Sequence, residues 1–136
     1  MTGVQTCALP IYVDSPEKAK LMRDRFGVDG VMIGRASIGY PWIFNEIKHF
    51  FKTGTHLSPP TVADRVKVCK QHLDFSVKWK SKHAGIVEMR RHYSNYFKGL
   101  PHFKEFRNKL VTTYSYDEII DILNTVQNNY PEPEMA

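Results

Sequence analysis

Two groups of residues in this 136-residue chain have the types and spacing to do chemistry, and both would hold an anion. The first is Gly34-Arg35, which closes the apolar run Gly30-Val31-Met32-Ile33 and leads into Ala36 to Pro41, long enough for one helical turn. A glycine there lets the main chain approach a ligand closely, and the free N–H groups of a helix start point at an anion, so the form is that of a phosphate cradle. In (β/α)₈ barrels such a site is built from the loops after the last two strands and an extra short helix. The same residues would also serve a plain strand-to-helix turn with Arg35 at the rim, and the motif is too short to separate the two readings.

The second group runs from Arg90-Arg91-His92 to Lys98-Gly99-Leu100-Pro101 and on to Lys104, Arg107 and Lys109. Arg90, Arg91 and Lys98 avoid the apolar stripe Met89, Tyr93 and Phe97, so they are expected to project outward, as cations lining an RNA backbone must. A solvated charged face is the alternative. Tyr93, Tyr96, Phe97, Phe103 and Phe106 have the spacing of a helix core more than of a base-stacking platform. The six histidines are scattered without metal-ligand spacing, so no metal site is expected. Cys69 falls on an apolar helix stripe and reads as a small core residue rather than a nucleophile.

These groups need elements to carry them. Asp14 or Ser15 as N-cap, Pro16 at the first position and Gly27 as stop predict a helix with Ala19, Met22 and Phe26 on one face. Gly30 to Gly34 reads as a strand buried on both faces, and Pro41 opens a second helix that ends near Gly54. Ser58-Pro59-Pro60 is an extended linker and a domain boundary. Beyond it four helices are expected. The first starts at a capping box over Thr61 to Asp64, with Val62, Val66, Cys69, Leu73 and Val77 as its stripe. The others span about 85–98 and 102–111 and the stretch after a capping box at Ser115 to Glu118. The fold class is therefore α/β plus all-α, the second part a small four-helix bundle. Residues 1–12 read as an unpatterned, artefactual leader and 131–136 as a disordered tail.

Composition narrows the function classes. With 42% apolar and 24% charged residues the chain suits one ordinary globular domain or two small ones, and no apolar run is long enough to span a bilayer. Two cysteines, Cys7 and Cys69, build no disulfide framework, which favours a reducing, cytoplasmic setting. The formal charge of +5 is unevenly spread: residues 1–57 carry 7 basic and 5 acidic side chains, 58–110 carry 12 and 4, and 111–136 carry none and 5. The middle segment, at +8, calls for an anionic partner.

Asp14-Ser15-Pro16-Glu17-Lys18-Ala19, Asp29-Gly30-Val31-Met32-Ile33-Gly34-Arg35-Ala36 and Gly39-Tyr40-Pro41-Trp42-Ile43-Phe44 resemble the carboxyl-terminal part of bacterial tRNA-dihydrouridine synthases of the B type. The likeness continues through Arg90-Arg91-His92, Tyr96, Lys98 to Pro101 and Phe106-Arg107-Asn108, covering about residues 13–127. It implies a C-terminal remnant of an FMN-binding (β/α)₈ TIM barrel in residues 13–57 and a helical tRNA-binding domain in 58–130. The implied enzyme takes tRNA as its partner, needs neither membrane nor metal, is monomeric, and reduces the C5–C6 double bond of a tRNA uridine with NADPH as electron source. By the same resemblance Gly34 and Arg35 hold the FMN phosphate, while Arg90, Arg91, Lys98, Lys104, Arg107 and Lys109 contact tRNA. The family's catalytic cysteine, on an earlier barrel loop, has no counterpart here, so no catalytic residue is expected and the chain alone should be inactive. Where the family has Asn-Gly-Asp, this sequence has about Pro10, Ile11 and Tyr12. A lone strand of this kind is further expected to expose an edge without neighbours.

Overall fold

A computed structural model describes residues 7–8 and 13–132; the Pro10 to Tyr12 departure and the last four residues of the tail lie outside these. The chain divides between Pro59 and Pro60 into two compact units.

The first unit contains strand β1 (Cys7–Ala8), helix α1 (Pro16–Phe26), strand β2 (Gly30–Val31), a 3₁₀ turn at Arg35–Ser37 and helix α2 (Ile43–Thr53). Ser15 is the N-cap of α1, its hydroxyl accepting from Lys18 N–H at 3.3 Å, with Pro16 in the first turn. Gly27, at φ 60°, closes the helix in the left-handed conformation. The apolar face is shorter than expected, since Ala19 is fully buried but Phe26 is 60% exposed. Arg23 reaches over the Phe51 ring at 4.2 Å and so links α1 to α2.

Two expectations about Gly30 to Gly34 need correction. The strand is two residues long, and it is covered on one side only: Val31 and Ile33 face a groove of about 180 Å³ shared with Phe44, Ile47 and Phe51, while Met32 is 57% exposed. Side chains alternate along extended backbone, and among the described residues no second layer lies over the Met32 side. One of its two edges, however, is paired over Gly30 and Val31. Cys7 and Ala8, inside the stretch read as an artefactual leader, lie parallel to Gly30 and Val31.

The second unit is a ring of four helices, α3 (Val62–Trp79), α4 (Lys82–Tyr96), α5 (Lys104–Thr112) and α6 (Tyr116–Asn129), in which α3 packs on α4, α4 on α5, α5 on α6 and α6 on α3. Thr61 and Asp64 form a reciprocal capping box at 3.1 and 3.2 Å. Only Lys80 and Ser81 separate α3 from α4, and the Ser81 hydroxyl caps α4 through Ala84 N–H, so α4 starts three residues earlier than the sequence suggests. At α6 the expected box is opened. Ser115 accepts from Glu118 N–H at 3.3 Å, but the Glu118 carboxylate takes the Thr113 hydroxyl, whose oxygen in turn accepts from Ser115 N–H at 3.1 Å.

Val66, Cys69, Leu73, Ile86, Met89, Leu110, Ile119, Leu123 and Val126 form the core. Burial pushes the Cys69 thiol well up from its ordinary range, which suits a packing residue and not a nucleophile. Tyr93 is also fully buried, and its hydroxyl meets no partner among the described residues. An orphaned buried hydroxyl costs about 1–3 kcal/mol. Tyr93→Phe should therefore raise stability by about 1 kcal/mol, read as a higher urea midpoint; a lower midpoint would show that the hydroxyl has a partner after all.

Candidate nucleic-acid interface

Gly34 and Arg35 lie in the first unit, and the six other candidate cations in the second. Gly34 follows β2 by three residues and is the N-cap of the 3₁₀ turn. Its carbonyl accepts from Ser37 N–H at 3.0 Å and from the Ser37 hydroxyl at 2.7 Å. Ile38 N–H bonds to the Arg35 carbonyl at 3.1 Å. The turn's own bonds thus begin at Ser37 and leave the amides of Arg35 and Ala36 outside the ladder, beside an exposed guanidinium. Two main-chain donors and one cation make a donor set that suits a phosphate group.

In the second unit the candidates differ in what already holds them. Arg90 does not project outward as expected. It is half-buried, its guanidinium lies 4.4 Å from the centre of the Tyr114 ring, and it reaches the Thr113 carbonyl at 3.4 Å. The other side of the arrangement is His83, stacked on Tyr114 with centroids 5.2 Å apart and planes within 4°. His83 and Arg90 are two turns apart on α4, a rise of about 10.5 Å, so Tyr114 fits between them as the middle rung of a ladder. This ladder fastens the α5–α6 turn to α4. The Arg90 guanidinium is therefore a positioning group before it is a ligand for anything else.

Arg91 is exposed, and its guanidinium meets Glu88 at 2.9 Å; Lys80 bonds the same carboxylate. Lys109 pairs with Glu105 at 3.0 Å one turn back. Lys98, Lys104 and Arg107 are exposed, and among the described residues no carboxylate pairs with them. Lys104 and Arg107 are three apart on α5 and share a face. Lys98 sits on the turn after α4, where its carbonyl accepts from Arg65 of α3 at 3.0 Å. Of the six candidates, the uncommitted cations are thus the three on and before α5.

The ring gives this charge a direction. The acidic helix α6, with Asp117, Glu118 and Asp121 exposed, packs on α3 and α5, and α4 packs on the same two. Helix α6 carries a net −3, while α3, α4 and α5 each carry a net +2. A polyanion is drawn to one side of such a unit and repelled from the other.

Two features escaped sequence reasoning because they join distant positions. One is the ladder through Tyr114. The other is a pair of imidazoles, His72 of α3 and His92 of α4, with ring centres 4.6 Å apart and His72 Nδ1 2.9 Å from the Tyr96 hydroxyl. Burial holds both histidines below the usual 6.5, Arg91 works in the same direction, and Glu88 opposes it. The unfolded chain thus binds these protons more readily than the folded one. Their contribution to stability is complete above about pH 6.5 and is lost as pH falls below it. The urea midpoint should drop between about pH 7 and 5, and His72→Gln should flatten that drop; an unchanged slope in the variant would remove the pair as its cause.

Comparison with known proteins gives this geometry a family. A sequence profile described as Dihydrouridine synthase (Dus) matches residues 12–133. The tRNA-dihydrouridine synthase B of Pseudomonas putida is 36% identical over 107 residues, covering 76% of this chain and 32% of that protein. The tRNA-dihydrouridine synthase B of Shewanella oneidensis is 35% identical over 130 residues, covering 85% and 40%. The probable tRNA-dihydrouridine synthase 1 of a Synechocystis species is 34% identical over 124 residues, covering 88% and 35%. The chain thus spans about a third of the length of the curated relatives it matches. With the profile extending over nearly all of its residues, the chain belongs to the dihydrouridine synthase family.

Proposed function

We propose that this chain is the C-terminal part of a tRNA-dihydrouridine synthase of the B type. Residues 13–57 would supply the last βα elements of an FMN-binding (β/α)₈ barrel, and residues 58–130 the domain that grips tRNA. The parent enzyme reduces the C5–C6 double bond of a tRNA uridine in the cytoplasm, with NADPH as electron source. The observation that carries the tRNA part is the uneven charge of the helical ring, with unpaired cations on and before α5 and a net −3 on α6 against +2 on each of the other three helices.

The donor set at Gly34, Arg35 and Ala36 fits the phosphate of FMN. Arg35 would balance its charge, and the amides outside the turn's ladder would orient it. When bound, the flavin supplies the hydride chemistry. The chain's own residues anchor and orient. Lys98, Lys104 and Arg107 bind backbone phosphates without reading sequence, and they hold the tRNA while its uracil leaves the stack, as chemistry on a base requires. No residue of this chain is assigned to proton donation, so the isolated chain binds without reducing.

The test is the purified chain titrated with tRNA over a range of salt. Binding that weakens linearly in log salt is expected, with no dihydrouridine formed when FMN and NADPH are added. Absence of any tRNA binding at low salt would sink the reading.

A further inference from the structure

The turn between α3 and α4 carries a surface that the cation set does not use. Trp79, the last residue of α3, is 82% exposed, and Phe75, one turn earlier on the same face, is 61% exposed. Large aromatic rings left in water cost the folded chain the burial that rings of this size usually gain. The segment is held firmly. Only Lys80 and Ser81 lie between the two helices, Ser81 caps α4, and α4 packs closely against α3 at Gly85.

Charge tells which partner the patch suits. From Phe75 to Val87 the sequence has Lys78, Lys80 and Lys82 and no carboxylate. Glu88, just beyond, is bonded by Lys80 and Arg91. Lys78 directly precedes Trp79 and Lys82 follows it by three residues, both exposed, and Asp74, one turn before Lys78, accepts from the Tyr116 hydroxyl. An apolar protein partner would meet three lysines around its contact, whereas an unpaired nucleotide would offer a flat base to the ring and phosphates to the lysines on either side.

We propose that the α3–α4 turn is a stacking site for an unpaired nucleotide of the bound RNA, with Trp79 as the platform and Lys78 and Lys82 binding the flanking phosphates. The inference rests on the tRNA-binding reading above and adds to it a subsite that selects single-stranded over paired RNA. Bases inside a duplex are stacked on both faces by their neighbours, so paired RNA offers the ring only the outer face of each terminal pair.

The experiment titrates the full chain with short oligouridine, with a blunt RNA duplex of equal length and with tRNA, following tryptophan fluorescence. Trp42 remains in every Trp79 variant as an internal reference. Oligouridine should quench the wild type. Trp79→Phe should abolish the quench and keep most of the affinity, and Trp79→Ala should weaken oligouridine and tRNA binding roughly 5- to 150-fold, the effect of losing one stacked base. The duplex should bind Trp79→Ala and wild type alike. Equal oligouridine affinity in Trp79→Ala, with tRNA binding still lost on reversing Lys104 and Arg107, overturns the stacking site and leaves the tRNA reading in place. No RNA binding by the wild type overturns both. Self-association in sedimentation that disappears in Trp79→Ala would assign the patch to a second copy of the chain and also overturn the proposal.

Discussion

Gly85→Ala should destabilise the chain by about 2 kcal/mol, although alanine is the better helix former by about 1 kcal/mol. The reason is the crossing of α3 and α4. A Cβ on residue 85 would sit 2.6 Å from the Val77 nitrogen and 2.7 Å from both the Ser76 carbonyl carbon and the Val77 Cα. All three atoms are backbone, so no side chain can swing aside, and one helix must move away from the other. The Ser76 hydroxyl, which donates to the Gly85 carbonyl at 3.1 Å, would be carried with it. Overpacking of this kind costs about 1–3 kcal/mol and sometimes more, which outweighs the propensity gain. With a urea dependence of about 1–3 kcal/mol per molar, the midpoint should fall by about 1 M. Gly85→Val, which adds branching at the same place, should remove cooperative unfolding of the helical unit. A stabilised alanine variant, the result expected at an open helical glycine, would show that α3 and α4 do not approach as closely as described. The effect reaches function as well, because α4 carries Arg90 and Arg91 and one end of the turn that bears Trp79.

What the sequence shows plainly is whatever depends on neighbours a turn away. The caps at Ser15, Thr61 and Ser115, the stop at Gly27 and the stripe Val66, Cys69, Leu73 all rest on spacings of three or four residues, and the structure has them. The start of α4 has a local signal in its N-cap Ser81, but Lys80-Ser81 holds neither glycine nor proline to mark the end of α3 before it. The one-sided burial of Val31 cannot be read locally, since it depends on what lies over Met32. Arg90 and Arg91 are alike in sequence, both off the apolar stripe. They differ because Tyr114, from the far side of α5, inserts between His83 and Arg90 and leaves Arg91 outside. Gly85 does carry a local signal, a glycine inside a helical pattern, which usually marks a packing reason. The candidate interface is therefore legible as a set of cations, and its division into anchored and available ones is not.

That division makes the second large effect specific. Reversing Lys104 and Arg107 together to Glu should lower tRNA affinity by roughly 100-fold, at about 1.5 kcal/mol for each charge-assisted bond to phosphate that is removed. It should also reduce the slope of log affinity against log salt by about 2, one for each phosphate no longer neutralised. Both side chains are exposed on one face of α5 without a carboxylate partner among the described residues, so the urea midpoint should stay where it is. Lys109→Glu should act more weakly, because Lys109 is already shared with Glu105. Arg90→Ala should behave in the opposite way to the α5 pair. It removes the outer rung over Tyr114 and the bond to the Thr113 carbonyl, so the midpoint should fall and any loss of affinity should follow the loss of fold. Measured together, the variants distinguish a binding face from a fastening. If Arg90→Ala abolished tRNA binding at an unchanged midpoint while the Lys104 and Arg107 reversal had no effect, the RNA would have to lie along α4 with the Tyr114 ladder opened, and the α5 face would lose its role.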